Sequence, residues 1–253
     1  MKITFLGTGT SQGVPIIGSE HPVCLSKDPK DKRLRVSVLL EWDNYSYVID
    51  CGPDFRQQMI TNEVKKIDGI LYTHEHNDHM IGLDDVRPFY FRQGNISIYC
   101  HKRVLKNLKH RFAYVFETEN KYPGAPTMDV NIIDDSPFTI GNKEVIPMNV
   151  YHPELQVYGF RIGDFAYVTD AKVIPDKELD KLKGVKTLVL NALRKEEHRS
   201  HLNLEQAIDL VNYLKPEKAY FTHISHHMGF HVEVQKELPE GIFLAYDNLQ
   251  IKV

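Results

Sequence analysis

The chain has 253 residues, of which 42% are hydrophobic and 26% charged, and its formal net charge is -3 at pH 7. This composition is ordinary for a globular protein and the length suits one large layered domain, so we predict a single domain over residues 1-253. The small negative charge lacks the basic excess with which nucleic-acid-binding proteins neutralise phosphates, and it disfavours that class of function.

Cysteine content and the first residues bear on the cellular compartment. The three cysteines, Cys24, Cys51 and Cys100, cannot all pair with one another, and their spacing is not that of a secreted disulfide scaffold. The chain starts with a strand-like segment at 2–6, has no basic segment followed by an apolar core, and contains no run of about 18 apolar residues. We therefore expect a cytoplasmic protein that is neither exported nor inserted in a membrane.

The first half of the chain follows the strand–helix–strand order of βαβ units. The predicted elements are a strand at 2–6, a polar loop from about 19 to 33, a hairpin of 36–41 and 45–49, a helix at 54–61 capped by Asp54, strands at 67–72 and 96–99, and a helix at 103–116. Two prolines within 121–126 interrupt the chain after this last helix.

The second half repeats this pattern. Short strands resume from about 130, with a turn at 140–143, and are followed by a strand at 166–169, a helix at 176–183, a strand at 187–190, a helix at 203–214 and strands at 219–222, 242–245 and 249–253. We predict an α/β fold in which two sheets pack face to face with helices outside, an αββα four-layer sandwich. No short-period repeat suggests a solenoid or propeller.

A histidine-rich segment follows the predicted strand at 67–72. It has the pattern His-x-His-x-Asp-His, formed by His74, His76, Asp78 and His79. Neutral imidazole and carboxylate are good ligands for zinc, manganese or iron, and the alternation lets His74 and His76 face one ion while Asp78 and His79 face a second. The alternative is a polar surface loop that is merely rich in histidine, which this order and spacing disfavours.

With this motif the sequence resembles the metallo-β-lactamase-fold hydrolases. Matching positions for the family's later ligands are His152, Asp170 and His223. The segments GTGTSQGVP at 7–15, GLDDVRPF at 82–89 and THISH at 222–226 are similar to the phosphoribosyl 1,2-cyclic phosphate phosphodiesterase (PhnP-like) branch. The resemblance extends from residue 1 to the C-terminus and implies the same sandwich fold.

The resemblance also implies a dinuclear metal site. It assigns His74, His76 and His152 to one divalent ion, Asp78, His79 and His223 to the other, and Asp170 to a bridging position between them. The ions would be zinc or manganese, or else iron, and they would share an activated hydroxide. From the residues alone, His101, His110 and His198 compete with His152, and spacing does not decide between them.

Two further residues are expected to support the chemistry. The family places a non-ligand histidine at the position of His201, where it would donate a proton to the leaving oxygen with a pKa near 6.5; together with Asp78 it is our predicted catalytic residue. His198 is its rival. Asp50 is expected to accept a hydrogen bond from a metal-bound histidine, and its alternative role is that of a turn residue.

Two predictions concern charge and a third metal. Arg33, Arg35 and Arg87 are candidates for binding an anionic substrate, against the alternative of ordinary surface arginines. Related proteins often carry a separate structural zinc held by three cysteines and a histidine. Here Ser19 and His21 replace two of those cysteines, so His21, Cys24 and His226 would form the structural zinc site, with a water or Glu20 as fourth ligand.

These features favour a dinuclear hydrolase that acts on a small, anionic, cyclic phosphodiester. An RNA 3′-processing endonuclease shares the ligand set, but the chain has no long basic arm for a folded RNA. The remaining candidate functions are a thioester or lactam hydrolase and a non-catalytic or redox metal protein on the same fold. We therefore expect no membrane partner, and we favour a small substrate over nucleic acid. A homodimer is a further alternative.

Overall fold

The computed structural model describes all 253 residues, Met1 to Val253, and contains two sheets of seven strands each. Strands are numbered in chain order. The first sheet consists of β1 (Lys2–Gly7), β2 (Ser37–Trp42), β3 (Tyr45–Ile49), β4 (Gly69–Leu71), β5 (Ile96–Cys100), β6 (Met128–Ile132) and the last strand, β14 (Gln250–Lys252). The second consists of β7 (Phe138–Ile140), β8 (Lys143–His152), β9 (Leu155–Ile162), β10 (Phe165–Val168), β11 (Thr187–Asn191), β12 (Lys218–Thr222) and β13 (Ile242–Leu244).

The two sheets have related topologies. In the first, the order is β14-β1-β2-β3-β4-β5-β6, antiparallel as far as β3 and parallel beyond it. In the second, the order is β13-β12-β11-β10-β9-β8-β7, with β10 to β13 parallel and the other pairs antiparallel. The predicted hairpin is present as β2 and β3, with Trp42 opposite Tyr45.

Helices pack on the outer face of each sheet or lie in the loops that connect the strands. They are α1 (Pro22–Leu25), α2 (Phe55–Thr61), α3 (Asn77–Met80), α4 (Arg87–Gln93), α5 (Lys102–Arg111), α6 (Ala113–Phe116), α7 (Asp176–Leu182), α8 (Leu204–Leu214) and α9 (His231–Glu237). None of them is long and apolar enough to cross a membrane.

Buried apolar side chains form three main layers, as a four-layer sandwich requires. One cluster lies between the sheets, where Phe5 and Leu40 of the first sheet pack in the same core as Phe160 and Tyr167 of the second. A second cluster joins the first sheet to α2, α4 and α5, and a third joins the second sheet to α7, α8 and α9. The predicted αββα fold is therefore confirmed.

Several local predictions were wrong. The helix expected at 103–116 is two helices, because Phe112 (φ -122, ψ 44) leaves the helical conformation and buries its ring in the core. Asp54 makes no capping hydrogen bond to α2; its carboxylate instead accepts hydrogen bonds from the backbone N–H of Arg35 and pairs with Arg35 Nε. The short helices α3 and α4, and the later α9, were not predicted.

Candidate active site

Strands of both sheets end at one edge of the sandwich, where the predicted metal ligands follow them. The His74–His79 segment comes after β4 of the first sheet. His152 is the last residue of β8, Asp170 follows β10 and His223 follows β12, all in the second sheet. The site is therefore assembled from strand ends that are far apart in the chain, which is where polar side chains of layered α/β folds converge.

All seven predicted ligands lie together at this edge. His74 Nε2 is 2.9 Å from His76 Nδ1, and the rings of His76 and His152 are 5.3 Å apart between centroids. Three groups of side chains each present ligand atoms within 4.8 Å of one another: His74, His79 and Asp170; Asp78, His79 and His223; and His152, Asp170 and His201. The second group matches the predicted second ion site, and Asp170 occurs in both of the others.

The donor atoms fit divalent metal ions. His79 Nε2 and His223 Nε2 are buried and make no well-aligned hydrogen bond, and the nearest carboxylate oxygens lie 3.1 to 3.3 Å away; a metal ion between these atoms would satisfy them. Burial lowers the pKa of His74 well below its usual value, which favours the neutral imidazole that metals bind. The set contains nitrogen and oxygen donors and no thiolate, which suits zinc, manganese or iron.

The two carboxylates of the cluster are held in the ionised form. Burial raises the pKa of Asp170, but the neighbouring His223 and His79 more than offset this, so that the pKa lies well below its usual range. Asp78 behaves in the same way: burial raises its pKa, the His79 ring lowers it, and the net result is a lowered pKa. Both side chains can therefore serve as anionic ligands near neutral pH.

Three residues of the site have an unusual backbone conformation. Asp50 (φ 64), Asp170 (φ 56) and His223 (φ 56) lie in the left-handed region, which non-glycine residues rarely adopt. Such strain costs on the order of 1–3 kcal/mol for each residue and is found where function requires a fixed side-chain direction. Asp50 directly follows β3 and His223 directly follows β12, while Asp170 is separated from the end of β10 by one residue.

Asp50 contacts a predicted metal ligand. Its carboxylate accepts hydrogen bonds from the backbone N–H and hydroxyl of Thr73, and Oδ2 lies 2.7 Å from His79 Nδ1. The pair is completely buried. Because Nδ1 is bound to Asp50, His79 turns Nε2 toward the cluster. His152 is oriented similarly, since its Nδ1 donates to the carbonyl oxygen of Ser200 at 2.7 Å.

His201 is part of the cluster, while His198 lies behind it. His201 Nε2 is 3.2 Å from Asp170 Oδ1, whereas His198 contacts Ser200 and the Nδ1 side of His201. The expectation of a pKa near 6.5 for His201 was wrong, because burial lowers that pKa to about 4. Neither of the other rivals of His152 joins the cluster: His101 accepts a hydrogen bond from the backbone of Arg103, and His110 is exposed on α5.

A cavity of about 400 Å³ opens beside the cluster, a size typical of small-molecule sites. None of the residues that line it is hydrophobic. They are Ser11, Glu75, His76, Asn77, Asp78, Arg111, His152, Asp170, His201 and His223.

The arginines expected to bind an anionic substrate do not line this cavity. Arg33 is buried and donates to Thr8 Oγ1 and to the carbonyl oxygen of Ala245. Arg35 pairs with Asp54, and Arg87 pairs with Asp84. The arginine at the cavity is Arg111, which sequence reasoning missed because nothing in the sequence indicated that the predicted helix would end there.

The residues of the predicted structural zinc site are near one another but do not form a compact ligand set. The centroids of the His21 and His226 rings lie 4.8 Å apart, and the centroid of the His227 ring lies 3.9 Å from that of His226. His21 Nδ1 accepts a hydrogen bond from the backbone of Val23, and Cys24 packs in a small apolar cluster with Val14 and Val23. The third metal therefore stays a prediction.

Known proteins resemble the chain in sequence and in structure. Residues 45–224 match the family described as Beta-lactamase superfamily domain. A Porphyromonas gingivalis protein named Octanoyltransferase is 39% identical over 253 residues, which are 99% of this chain and 51% of that protein. A Ribonuclease Z from Methanococcus maripaludis is 32% identical over 115 residues, 44% of this chain and 32% of the relative. The chain thus spans about half of the first relative's length and a third of the second's.

One solved structure is similar over nearly its whole length. It is described as a new diphosphatase from the PhnP family, has 39% sequence identity and a TM-score of 0.93, and the match covers 100% of this chain and 97% of that one. The similarity includes every strand that ends at the candidate site.

Proposed function

The chain belongs to the metallo-β-lactamase-fold hydrolases, in their PhnP-like branch, and from this premise we propose that it hydrolyses a small, anionic, cyclic phosphodiester. One observation carries the proposal. Seven candidate ligand side chains with nitrogen and oxygen donors converge beside a cavity that has no apolar residue in its lining. A lining of polar and charged side chains suits a substrate whose surface is charged and hydroxylated.

We assign His74, His76 and His152 to one divalent ion, Asp78, His79 and His223 to the other, and Asp170 to both. When bound, such a pair of ions supplies a water nucleophile at neutral pH and stabilises negative charge on the phosphoryl group. Asp50 keeps His79 in the tautomer that directs Nε2 to the cluster, and the carbonyl of Ser200 does the same for His152.

His201 is assigned the role of proton donor to the leaving oxygen. Its ring lines the cavity, and its Nε2 contacts the buried carboxylate of Asp170, which stabilises a proton on that nitrogen. Burial opposes the charged form and lowers the pKa of the ring to about 4, so the ring would carry the donated proton only when the anionic substrate beside it stabilises the charged form. Asp78 would act with it as one of the side chains that hold an ion.

Acyl substrates fit the cavity less well. An octanoyl or other acyl chain needs apolar side chains around it, and the cavity lining has none. A covalent acyl-thiol step would need an accessible, ionisable cysteine, but Cys24, Cys51 and Cys100 are all buried. Burial also raises the pKa of the Cys51 and Cys100 thiols.

A diphosphate linkage is the second candidate substrate. The structural relative with 39% identity is described as a diphosphatase, and a P–O–P bridge presents the same non-esterified oxygens to two metal ions as a phosphodiester does. The matched Ribonuclease Z relatives make a precursor transfer RNA the third substrate to test.

The test is a hydrolysis panel on purified protein of known metal content. It compares a 2′,3′-cyclic nucleotide, a dinucleoside diphosphate, a precursor transfer RNA, a thioester and a lactam, with the Asp170→Ala variant as the control for contaminating enzymes. We expect the highest kcat/KM on the cyclic diester. Activity confined to the thioester or lactam would overturn the proposal. A preference for the diphosphate would make diphosphates the proposed substrate class instead.

A further inference from the structure

Two uncharged side chains, those of Ser11 and Asn77, line the cavity without a role in the metal chemistry. Of the other eight lining residues, five are predicted metal ligands and a sixth is His201. Glu75 is held in an ion pair, and Arg111 is a cation. Ser11 and Asn77 are exposed, and their side chains form no hydrogen bond with the protein. A hydroxyl and an amide are therefore free to bind a ligand.

Backbone hydrogen bonds fix the position of Ser11. Thr10 N–H donates to the carbonyl oxygen of Ile224, which is the residue after the predicted ligand His223. Gly13 N–H donates to the carbonyl oxygen of Thr10 at 2.8 Å and closes a tight turn with Ser11 at its second position. The turn therefore holds the Ser11 side chain beside the second proposed ion site.

Buried groups support this loop from behind. Thr8 Oγ1 donates to Asp247 Oδ1 at 2.8 Å and accepts a hydrogen bond from the buried Arg33 Nη1, also at 2.8 Å. Further along the loop, Val14 N–H donates to the carbonyl oxygen of Arg33. Because the loop is bonded on both sides of Ser11, the hydroxyl is presented by a preorganised support, which reduces the entropy lost when a ligand binds.

Asn77 is held by its place in the chain. It lies between the predicted ligands His76 and Asp78, as the first residue of α3, and its carbonyl oxygen accepts a helical hydrogen bond. Asn77 thus adjoins one ligand of the second proposed ion, Asp78, and the Ser11 turn is bonded next to another, His223. A group bound by both side chains is the part of the substrate nearest to that ion.

The chemistry of the two side chains determines what they bind. A hydroxyl and a primary amide each donate and accept hydrogen bonds, as does a sugar hydroxyl. A phosphate group only accepts, and it is bound most strongly by cations. We propose, building on the function proposed above, that Ser11 and Asn77 form a hydroxyl-binding subsite, which selects cyclic phosphodiesters of polyhydroxylated alcohols over those of plain diols.

The test uses two cyclic esters with the same ring size and charge, myo-inositol 1,2-cyclic phosphate and cis-1,2-cyclohexanediol cyclic phosphate. They differ only in the free hydroxyl groups of the six-membered ring. We expect wild-type protein loaded with manganese to prefer the inositol ester by about 10- to 100-fold in kcat/KM, since a few hydrogen bonds of about fivefold each have that effect. The preference should arise mainly in KM.

Variants assign the preference to the two side chains. Ser11→Ala and Asn77→Leu, which keeps the size of the side chain, should each lose part of it, and the double variant should bring the kcat/KM ratio close to one with both ions still bound. Ser11→Thr keeps a hydroxyl and should retain the preference. Gln12 is the matched control, because it is exposed in the same turn but does not line the cavity; Gln12→Leu should leave the ratio unchanged.

Kinetics and calorimetric binding of both esters separate the possible outcomes. Equal kcat/KM on the two esters in wild-type protein, or a preference that survives the double variant, would overturn the subsite. Equal losses on both esters in the variants would also overturn it, because the side chains would then act on the phosphoryl group. Selective binding that depends on Ser11 and Asn77, without hydrolysis of either ester, would support the subsite and reject the proposed function. Binding of neither ester would reject both.

Discussion

Asp170 is the residue on which the cluster converges. Its Oδ1 lies 3.1 Å from His223 Nε2, and its Oδ2 lies 3.3 Å from His79 Nε2. Because the proposed bridge supplies a ligand to both ions, Asp170→Ala should reduce hydrolysis to the background rate and lower metal occupancy at both positions. Elemental analysis and turnover of bis(4-nitrophenyl) phosphate measure the two effects. Normal turnover with two ions retained would refute the bridge.

The Asp50 carboxylate supports the cluster from behind, through its 2.7 Å contact with His79 Nδ1. Asp50→Asn keeps the size of the side chain but removes the anion that orients the imidazole. We expect metal affinity or kcat to fall by about 10- to 100-fold. Asp84→Asn, at a half-exposed carboxylate that pairs with Arg87, is the control. Unchanged values in Asp50→Asn would make Asp50 a turn residue only.

His231 makes folding stability depend on pH. It is buried, Arg33 Nη2 donates to its Nδ1, and burial with the nearby Arg33 charge lowers its pKa to about 4. The unfolded histidine titrates near 6.5. The contribution of His231 to the free energy of unfolding is therefore complete above pH 6.5. It is lost as the pH falls through 4, which lowers the free energy of unfolding by about 2–3 kcal/mol in all. His231→Gln should flatten this part of the curve in urea unfolding; parallel curves would contradict it.

At the scale of elements, close backbone contact positions α3. Cys51 N–H donates to the carbonyl oxygen of His79, and a Cβ added at Gly52 would lie 2.0 Å from the carbonyl oxygen of Asp78. Gly52→Ala must push α3, with its two predicted ligands, away from the end of β3. We expect about 3 kcal/mol of lost stability and weaker metal binding, measured by denaturation and calorimetry.

Gly18→Ala is the control for this variant. Gly18 has a positive φ of +73 but open space around its Cβ position, so its replacement should cost only the conformational strain, about 1 kcal/mol. Metal binding should stay unchanged. If Gly52→Ala behaved like Gly18→Ala, the close contact would not be what positions α3.

The elements also explain what sequence reasoning could and could not predict. The residues His74 to His79 were predicted to form one site because they are contiguous and follow a recognisable strand. Arg33 was misassigned because its partners, Ala245 and His231, are about 200 residues away in the chain. Arg111 was missed because the end of α5 depends on how Phe112 packs in the core, which local helix propensity does not reveal.

At the scale of the whole molecule, the site depends on both sheets. The first sheet supplies the His74–His79 segment, the second supplies His152, Asp170 and His223, and one apolar core holds the sheets together. Neither half contains a complete ligand set for both proposed ions. The core between the sheets therefore determines the relative positions of the two halves of the metal site.

The central claim is that this cluster binds two divalent ions on which phosphodiester hydrolysis depends. Its most direct test is to remove all metal with a chelator, add manganese or zinc back in known equivalents, and record the bound ions and the rate on bis(4-nitrophenyl) phosphate. We predict no measurable rate in the metal-free protein and a maximum when both positions of the cluster are filled. A full rate in metal-free protein, or a rate independent of bound metal, would contradict the claim.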